Sequence, residues 1–222
     1  MNYDAVIFDF DGTLADTGPD VWASLDYAAG RAGGRMRADF ASEPPNLGLP
    51  METIFRAVEP FPGDEAFRQF EEDVRRHYRF LNDYTRTALY PGVRELLEEM
   101  QSRGLPAYIV SLKPCEALTR IIAAKGWERW FPGRFSPDSF GGENLPKVAL
   151  LRRLVSDRLR GAKVVYVGDT WTDVAAARAC GIDSIGAAYG DGDVSLLLAE
   201  CPTMLAYDSR DLGPMILGGG EG

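Results

Sequence analysis

The sequence has few of the residues that form zinc sites and disulfides, and it has no long apolar run. It contains one histidine and three cysteines. The cysteines are widely separated and never in CxxC spacing, which argues against a zinc site or a disulfide framework and favours reduced thiols. No apolar run approaches the length of a transmembrane helix, and the amino terminus carries acid where a signal peptide carries base. We therefore expect a cytoplasmic protein.

Basic residues are also in deficit. Lys and Arg total 24 against 33 Asp and Glu, which gives a formal net charge of -9. A negative protein is a poor partner for nucleic acid or for an anionic membrane. An anionic substrate would need a local cation or a lysine in order to bind. The expected partner is a small molecule, and the sequence indicates no oligomeric state.

Short apolar runs that stop at polar residues recur along the chain. Such runs precede Asp9, Ser111 and Asp169, and they are typical of strands buried on both faces of a parallel sheet. Further short strands are predicted at 184–188 and 204–207. The apolar periodicity predicts helices between these strands, at 93–104, 114–124, 148–159 and 173–180, while 127–146 is expected to be irregular. Alternating strands and helices predict an α/β fold with a mostly parallel sheet.

Residues 17–87 interrupt this alternation. The pattern predicts helices near 18–30, at 51–58 and at 64–81, with no convincing strand among them. The sequence therefore predicts an α/β core formed by 1–16 and 88–222, with 17–87 inserted as an α-helical cap domain. The only histidine, His77, lies beside the apolar stripe of the 64–81 helix, which favours a packing role over a catalytic one.

Residues able to perform chemistry fall at predicted strand ends or just before helices. In a parallel sheet these ends share one edge, so distant residues can converge there. Asp9, Asp11 and Asp169 supply hard oxygen ligands, which suit Mg²⁺. Asp-Gly is also a common turn dipeptide, and Asp169 alone can be a helix cap, so the structural interpretation of each acid stays open.

A hard cation combined with Lys147 and Ser111 suits a phosphoryl group. The lysine would neutralise phosphate oxygens, while Ser111 and backbone N–H groups near Leu112 would hydrogen-bond to them. Asp9 can attack phosphorus as a carboxylate nucleophile. Asp11 can then pass a proton to the leaving oxygen and later take one from water.

The ordered segments Asp9-Phe-Asp-Gly-Thr13, Ser111, Lys147 and Gly168-Asp-Thr-Trp-Thr-Asp173 resemble the four motifs of the haloacid dehalogenase superfamily. The helical insert and the phrases Tyr90-Pro-Gly-Val93 and Val110-Ser-Leu-Lys-Pro114 resemble its phosphoglycolate phosphatase branch. The resemblance implies a Rossmann-like core with a mobile helical cap. It also implies Mg²⁺ held by the Asp9 side chain, the Asp11 backbone carbonyl and Asp169, with Asp173 near or behind the metal.

Position 11 bears on the reaction within that superfamily. An acid there is typical of members that act on phosphate esters, whereas members that act on carbon–halogen bonds or phosphonates generally lack it. Lys147 departs from the family pattern because it follows a proline rather than preceding one, which leaves Lys113 as the alternative phosphate-binding lysine. Trp171 is a second departure, as an unusual residue within the Gly-Asp motif. The resemblance favours a phosphatase for a small monoester such as glycolate 2-phosphate. A β-phosphoglucomutase-like phosphomutase, a nucleotidase or pyrophosphatase, and a phosphate-binding protein without turnover are the alternatives.

Overall fold

The structure, a computed structural model, describes residues 3–141 and 144–218. The chain divides into two compact units, one formed by Met1–Asp16 and Ala88–Gly222 and the other by Thr17–Thr87. We refer to them as the core unit and the 17–87 unit. Within the described residues, none of the helices combines the length and the apolar character that a bilayer crossing requires.

Strands and helices alternate along most of the core unit, and the elements of both units are numbered here in chain order. The strands are β1 (Ala5–Phe8), β2 (Ala15–Asp16), β3 (Arg35–Met36), β4 (Val58–Glu59), β5 (Ala88–Leu89), β6 (Ala107–Val110), β7 (Gly133–Phe135), β8 (Val164–Gly168), β9 (Asp183–Ala187) and β10 (Met204–Ala206). The α-helices are α1 (Gly18–Arg31), α2 (Ala38–Ala41), α3 (Met51–Phe55), α4 (Phe67–Arg76), α5 (Val93–Ser102), α6 (Cys115–Lys125), α7 (Lys147–Arg158), α8 (Trp171–Cys180), α9 (Val194–Ala199) and α10 (Leu212–Leu217). Short 3₁₀ segments lie at Pro44–Gly48, Asp64–Ala66, Glu128–Trp130 and Ser209–Asp211.

The main sheet of the core unit has six strands in the order β10-β9-β8-β1-β6-β7 among the described residues. Every neighbouring pair in it is parallel. Phe8 lies opposite Ile109 of β6 on one side and opposite Val167 of β8 on the other, so the three central strands end at nearly the same level. The predicted parallel α/β fold is confirmed.

The central strands are apolar because helices cover the sheet. All four residues of β1 and all five of β8 are buried. Helix α7 presents Leu150, Leu151 and Leu154 to a cluster that includes Ile7 and Tyr166. Full burial of such a leucine is worth roughly 1.5–3 kcal/mol, so this helix is held firmly against the sheet. The first residue of α7 is Lys147, which is therefore placed by the same packing.

The interpretation of 127–146 as wholly irregular was wrong. Gly133–Phe135 forms edge strand β7, which pairs in parallel with β6 through Tyr108 opposite Gly133 and Val110 opposite Phe135. A strand of three residues is too short to show an alternating pattern, and prolines lie close on both sides of it at Pro132 and Pro137. The remainder of the described part of that segment contains the 3₁₀ turn Glu128–Trp130 and loops.

The 17–87 unit is mainly helical. Helices α1 and α4 pack together around a core that includes Leu25, Phe55 and Phe70. The structure differs from three expectations for this unit. Strands β3 and β4 form a two-residue antiparallel ladder that is too short to detect from sequence, and β4 replaces the end of the helix predicted at 51–58. The helix predicted at 64–81 is divided into the 3₁₀ turn Asp64–Ala66, α4 and a π-helical turn at His77–Leu81.

Candidate active site

The level ends of β1, β6 and β8 bring three predicted site residues to one edge of the sheet. Asp9 follows β1, Ser111 follows β6 and Asp169 follows β8. All three are buried, and the Ser111 side chain hydrogen-bonds to the Asp9 carboxylate. Asp9 Oδ1 also accepts a hydrogen bond of 2.7 Å from the Phe10 backbone N–H. The nucleophile candidate is therefore oriented by its own strand end and by the neighbouring strand.

Lys147 lies between two buried carboxylates. Its Nζ atom is 2.6 Å from Asp9 Oδ2 and 2.5 Å from Asp173 Oδ1. Although burial by itself lowers the pKa of Lys147, the carboxylates of Asp9 and Asp173 raise it above the ordinary lysine value. The lysine is therefore a fixed positive charge at the sheet edge. Burial raises the pKa of Asp9 to about 6 in spite of this neighbouring cation.

Asp173 is held by groups on β8 and at the start of α8. Its Oδ2 accepts hydrogen bonds from the Thr170 backbone N–H at 2.9 Å and from Thr170 Oγ1. Thr170 and Asp173 together form a capping box for α8. The Tyr166 hydroxyl lies 3.0 Å from Asp173 Oδ1 and 2.8 Å from the Val110 carbonyl. Asp173 therefore links the helix start, the sheet and Lys147.

Asp169 is surrounded by hydrogen-bond donors. Thr13 Oγ1 donates to its Oδ1 at 3.0 Å, and the backbone N–H groups of Asp191 and Gly192 donate to its Oδ2, each at 3.1 Å. Burial raises the pKa of Asp169 to about 7, and the charges of Asp9 and Asp173 contribute to the rise. The three hydrogen bonds therefore hold the Asp169 carboxylate in one orientation. They balance its negative charge only in part.

This cluster fits a hard divalent cation. Ligand oxygens of Asp9, Asp169 and Asp173 lie within 4.8 Å of one another. Within this group, the three buried carboxylates are paired with one ammonium group, that of Lys147, which contacts Asp9 and Asp173, so negative charge is in excess among these residues. Converging carboxylate oxygens without imidazole or thiolate are the donor set that Mg²⁺ prefers, and that zinc does not. The side chain of Asp11 lies outside this group of oxygens.

Asp11 instead pairs with the second candidate lysine. Lys113 Nζ is 2.8 Å from Asp11 Oδ1, and the lysine side chain is buried while that of Asp11 is partly exposed. Each candidate lysine therefore pairs with a different acid of the first motif. Lys147 pairs with Asp9, and Lys113 pairs with Asp11. Ser111 Oγ accepts a hydrogen bond from the Lys113 backbone N–H at 3.2 Å. Leu112 lies between them with an exposed side chain.

Sequence reasoning missed several residues of the site. Thr13, Tyr166 and the backbone of Asp191 and Gly192 were not singled out, although each contacts a site carboxylate. The spacing Thr170-x-x-Asp173 is the sequence signature of a capping box, so that contact was detectable. Backbone donors leave no such signal. Trp171, the unusual motif residue, begins α8 with a half-exposed side chain.

His77 lies in the 17–87 unit and has packing partners there. Its ring stacks on Tyr27 with centroids 4.3 Å apart, and its Nδ1 is 2.9 Å from Ser24 Oγ. Burial lowers its pKa below the usual histidine value. These contacts agree with the packing role that the sequence favoured.

Comparison with known proteins identifies the family. The haloacid dehalogenase-like hydrolase family matches residues 6–187. A phosphoglycolate phosphatase of Synechococcus elongatus is 31% identical over 94% of this chain and 94% of its own length. A 5′-nucleotidase of Pseudomonas aeruginosa is 27% identical over 94% and 93%. The crystal structure of a putative phosphatase from Clostridium difficile has a TM-score of 0.83 at 23% identity, covering 97% of this chain and 99% of that one. The resemblance found in the motifs is confirmed, and the chain belongs to the haloacid dehalogenase-like hydrolase family.

Proposed function

We propose that this protein is a Mg²⁺-dependent phosphatase that hydrolyses a small phosphate monoester through an aspartyl-phosphate intermediate on Asp9. The observation that carries the proposal is the pairing of two acids with separate surroundings. Asp9 is buried among carboxylates and Lys147, whereas Asp11, two residues later, is partly exposed and pairs with Lys113. Two carboxyl groups in different environments can take different roles in one reaction.

Asp9 is the proposed nucleophile. One of its carboxylate oxygens attacks phosphorus, and the bond between phosphorus and the ester oxygen breaks. The hydrogen bonds from Phe10 N–H and Ser111 hold the carboxylate in a fixed orientation. Such positioning favours attack because reactants that are already aligned lose little further entropy.

Asp11 is the proposed proton carrier. Its protonated carboxyl group gives the proton to the departing ester oxygen, which leaves as an alcohol. The resulting carboxylate then accepts a proton from water as that water attacks the phosphorus of the aspartyl phosphate. The bond between Asp9 and phosphorus breaks, inorganic phosphate leaves and both aspartates return to their starting state. General acid–base assistance of this kind is worth roughly 10²–10⁴-fold in rate.

Lys147, Ser111 and the backbone near Leu112 are the proposed phosphate-binding groups. A buried ammonium group and hydrogen-bond donors stabilise the charge that spreads over the phosphoryl oxygens during transfer. The short distances from Lys147 to Asp9 and Asp173 support this role, because they keep the lysine charged and in place.

Asp9, Asp169 and the Asp11 backbone carbonyl would hold Mg²⁺, with Asp173 behind them. The bound ion would neutralise negative charge between the nucleophile and the phosphate, which otherwise repel each other. The convergence of the carboxylate oxygens of Asp9, Asp169 and Asp173 within 4.8 Å supports this assignment.

The leading substrate is glycolate 2-phosphate. A relative that shares 31% of its residues and nearly its whole length with this chain is named a phosphoglycolate phosphatase. A relative at 27% identity is named a 5′-nucleotidase, which makes a nucleoside 5′-monophosphate the second candidate. We propose that the 17–87 unit acts as the cap domain that selects among such substrates, and that the enzyme works on a soluble metabolite in the cytoplasm.

A phosphate-release assay tests this proposal. The purified protein is incubated with an aryl phosphate, glycolate 2-phosphate and nucleoside 5′-monophosphates, with Mg²⁺ and separately with a chelator. We expect release that requires Mg²⁺ and is fastest with glycolate 2-phosphate. No Mg²⁺-dependent release from any of these esters would refute the enzymatic function, whereas a preference for nucleotides would refute only the leading substrate.

A further inference from the structure

A segment outside all four motifs lies directly against Asp169. Residues 189–192, here called the 189–192 loop, connect β9 to α9 in the core unit. The loop is followed by Asp193, whose carboxylate accepts hydrogen bonds from the backbone N–H groups of Ser195 and Leu196 and so caps α9. One end of the loop is therefore fixed to the sheet and the other to a helix.

The loop fixes the orientation of the Asp169 carboxylate. The N–H groups of Asp191 and Gly192 both donate to Oδ2, while Thr13 Oγ1 donates to Oδ1. A carboxylate can accept about four hydrogen bonds or metal contacts in all. Three donors therefore set the plane of this group and leave it capacity for a cation.

Two positions of the loop have no room for a side chain. A Cβ atom at Gly192 would lie 2.1 Å from the Asp169 carbonyl oxygen, and one at Gly190 would lie 2.2 Å from the Gly12 carbonyl oxygen. Both obstacles are backbone atoms, which cannot rotate away as the end of a side chain can. The glycines thus allow the loop to approach Asp169 and the Gly12 turn closely.

Tyr189 connects the loop to the same turn. Its hydroxyl donates to the Thr13 carbonyl oxygen at 2.8 Å, and its ring packs edge-on against Tyr90 with centroids 5.2 Å apart. Thr13 in turn donates to Asp169 through its side chain. The loop therefore reaches Asp169 by two routes, directly through backbone N–H groups and indirectly through Thr13.

We propose that Tyr189, Gly190 and Gly192 are positioning residues that set the affinity of the site for Mg²⁺ through Asp169. They would not touch the substrate or the ion. The inference rests on the metal site of the proposed function and adds to it a group of residues that the motifs do not contain. Groups that orient a metal ligand typically change metal affinity by roughly 10–100-fold when they are altered.

Two variants and one control test this role. Gly192→Ala places a methyl group against the Asp169 backbone, and Tyr189→Phe removes only the hydroxyl and keeps the ring. Gly213→Ala is the control, because a Cβ atom at Gly213 in α10 meets nothing within 4 Å. The thermal unfolding midpoint of each protein is measured over a series of Mg²⁺ concentrations, and the dissociation constant follows from the linkage relation.

We expect the Mg²⁺ dissociation constant to rise by at least about tenfold in Gly192→Ala. Loss of one hydrogen bond in Tyr189→Phe should raise it by about threefold to tenfold. The control should match the wild type. Far-UV circular dichroism reports whether each variant is folded, and if Gly192→Ala is not, Tyr189→Phe decides the question.

Wild-type Mg²⁺ affinity in every folded loop variant would overturn the positioning role while leaving the metal site intact. Absence of Mg²⁺ binding by the wild type is a different result, and it would overturn the metal site on which this inference rests. The Mg²⁺ concentration for half-maximal phosphate release gives a second reading, and it should shift in the same order as the dissociation constants.

Discussion

Lys147 is a buried cation that contacts both Asp9 and Asp173, and its removal gives the sharpest stability prediction. Lys147→Met keeps a long apolar side chain and removes only the ammonium group. The two carboxylates that it contacts at 2.6 Å and 2.5 Å would remain buried beside each other without a cation. We therefore expect Lys147→Met to lower the free energy of unfolding of the metal-free protein. The decrease should be larger than the loss of the side chain's packing contacts alone would cause.

The size of the effect follows from the distances. At an effective dielectric constant of about 20, unit charges this close attract by about 6 kcal/mol per contact. Desolvation of the ammonium group offsets several kcal/mol of that attraction. Removing one partner of a buried ion pair then lowers the free energy of unfolding by about 3–5 kcal/mol. We expect this loss for Lys147→Met, and we expect added Mg²⁺ to recover part of it because a bound cation offsets the remaining carboxylates.

Urea unfolding in the presence of a chelator measures the effect. Tryptophan fluorescence reports on the core unit because Trp127 and Trp130 are buried there. The control is Lys163→Met, which changes an exposed lysine whose Nζ lies 5.1 Å from the centroid of the Tyr3 ring. It should alter stability by less than about 1 kcal/mol. Equal stabilities of the two variants would refute the view that Lys147 balances the charge of the carboxylate cluster.

Two further predictions concern tyrosine and histidine. Tyr166→Phe removes the hydroxyl that lies 3.0 Å from Asp173 Oδ1. We expect kcat to fall by about threefold to tenfold with little change in KM. An unchanged kcat would show that this contact does not matter for catalysis. His77 is the only histidine, and burial near Ser24 and Tyr27 lowers its pKa, so its NMR titration midpoint should lie below about 6.5. At pH values below about 6.5 the unfolded chain then binds more protons at His77 than the folded chain does, so the free energy of unfolding should decrease as the pH falls. An NMR titration midpoint above about 6.5 would contradict the packing of His77 against Ser24 and Tyr27.

The central sheet and the edge where the site lies were predictable because both follow from local patterns. An apolar run that ends on Asp9, Ser111 or Asp169 indicates a buried strand and a polar strand end at once. Parallel pairing then brings such ends together without further information. In this protein the register of β1 against β6 and β8 brings the carboxyl ends of the three strands to nearly the same level, as the parallel pairing predicts.

The parts that escaped prediction depend on contacts made by the backbone or on very short elements. The N–H groups of Asp191 and Gly192 orient Asp169, but a backbone donor is present at nearly every position of every sequence. Strand β7 and the β3–β4 ladder have too few residues to show a period. The partner of Lys113 was equally hidden, because the Lys113–Asp11 pair joins two loops that are far apart in sequence.

The central claim is that Asp9 forms and loses a bond to phosphorus in a Mg²⁺-dependent hydrolysis. The most direct measurement compares phosphate release from glycolate 2-phosphate by the wild type and by Asp9→Asn, each with Mg²⁺ and with a chelator. Asparagine has nearly the same shape as aspartate, so circular dichroism should show the same fold. We predict release by the wild type with Mg²⁺ alone and none by the variant; turnover by folded Asp9→Asn at a rate near that of the wild type would contradict the account.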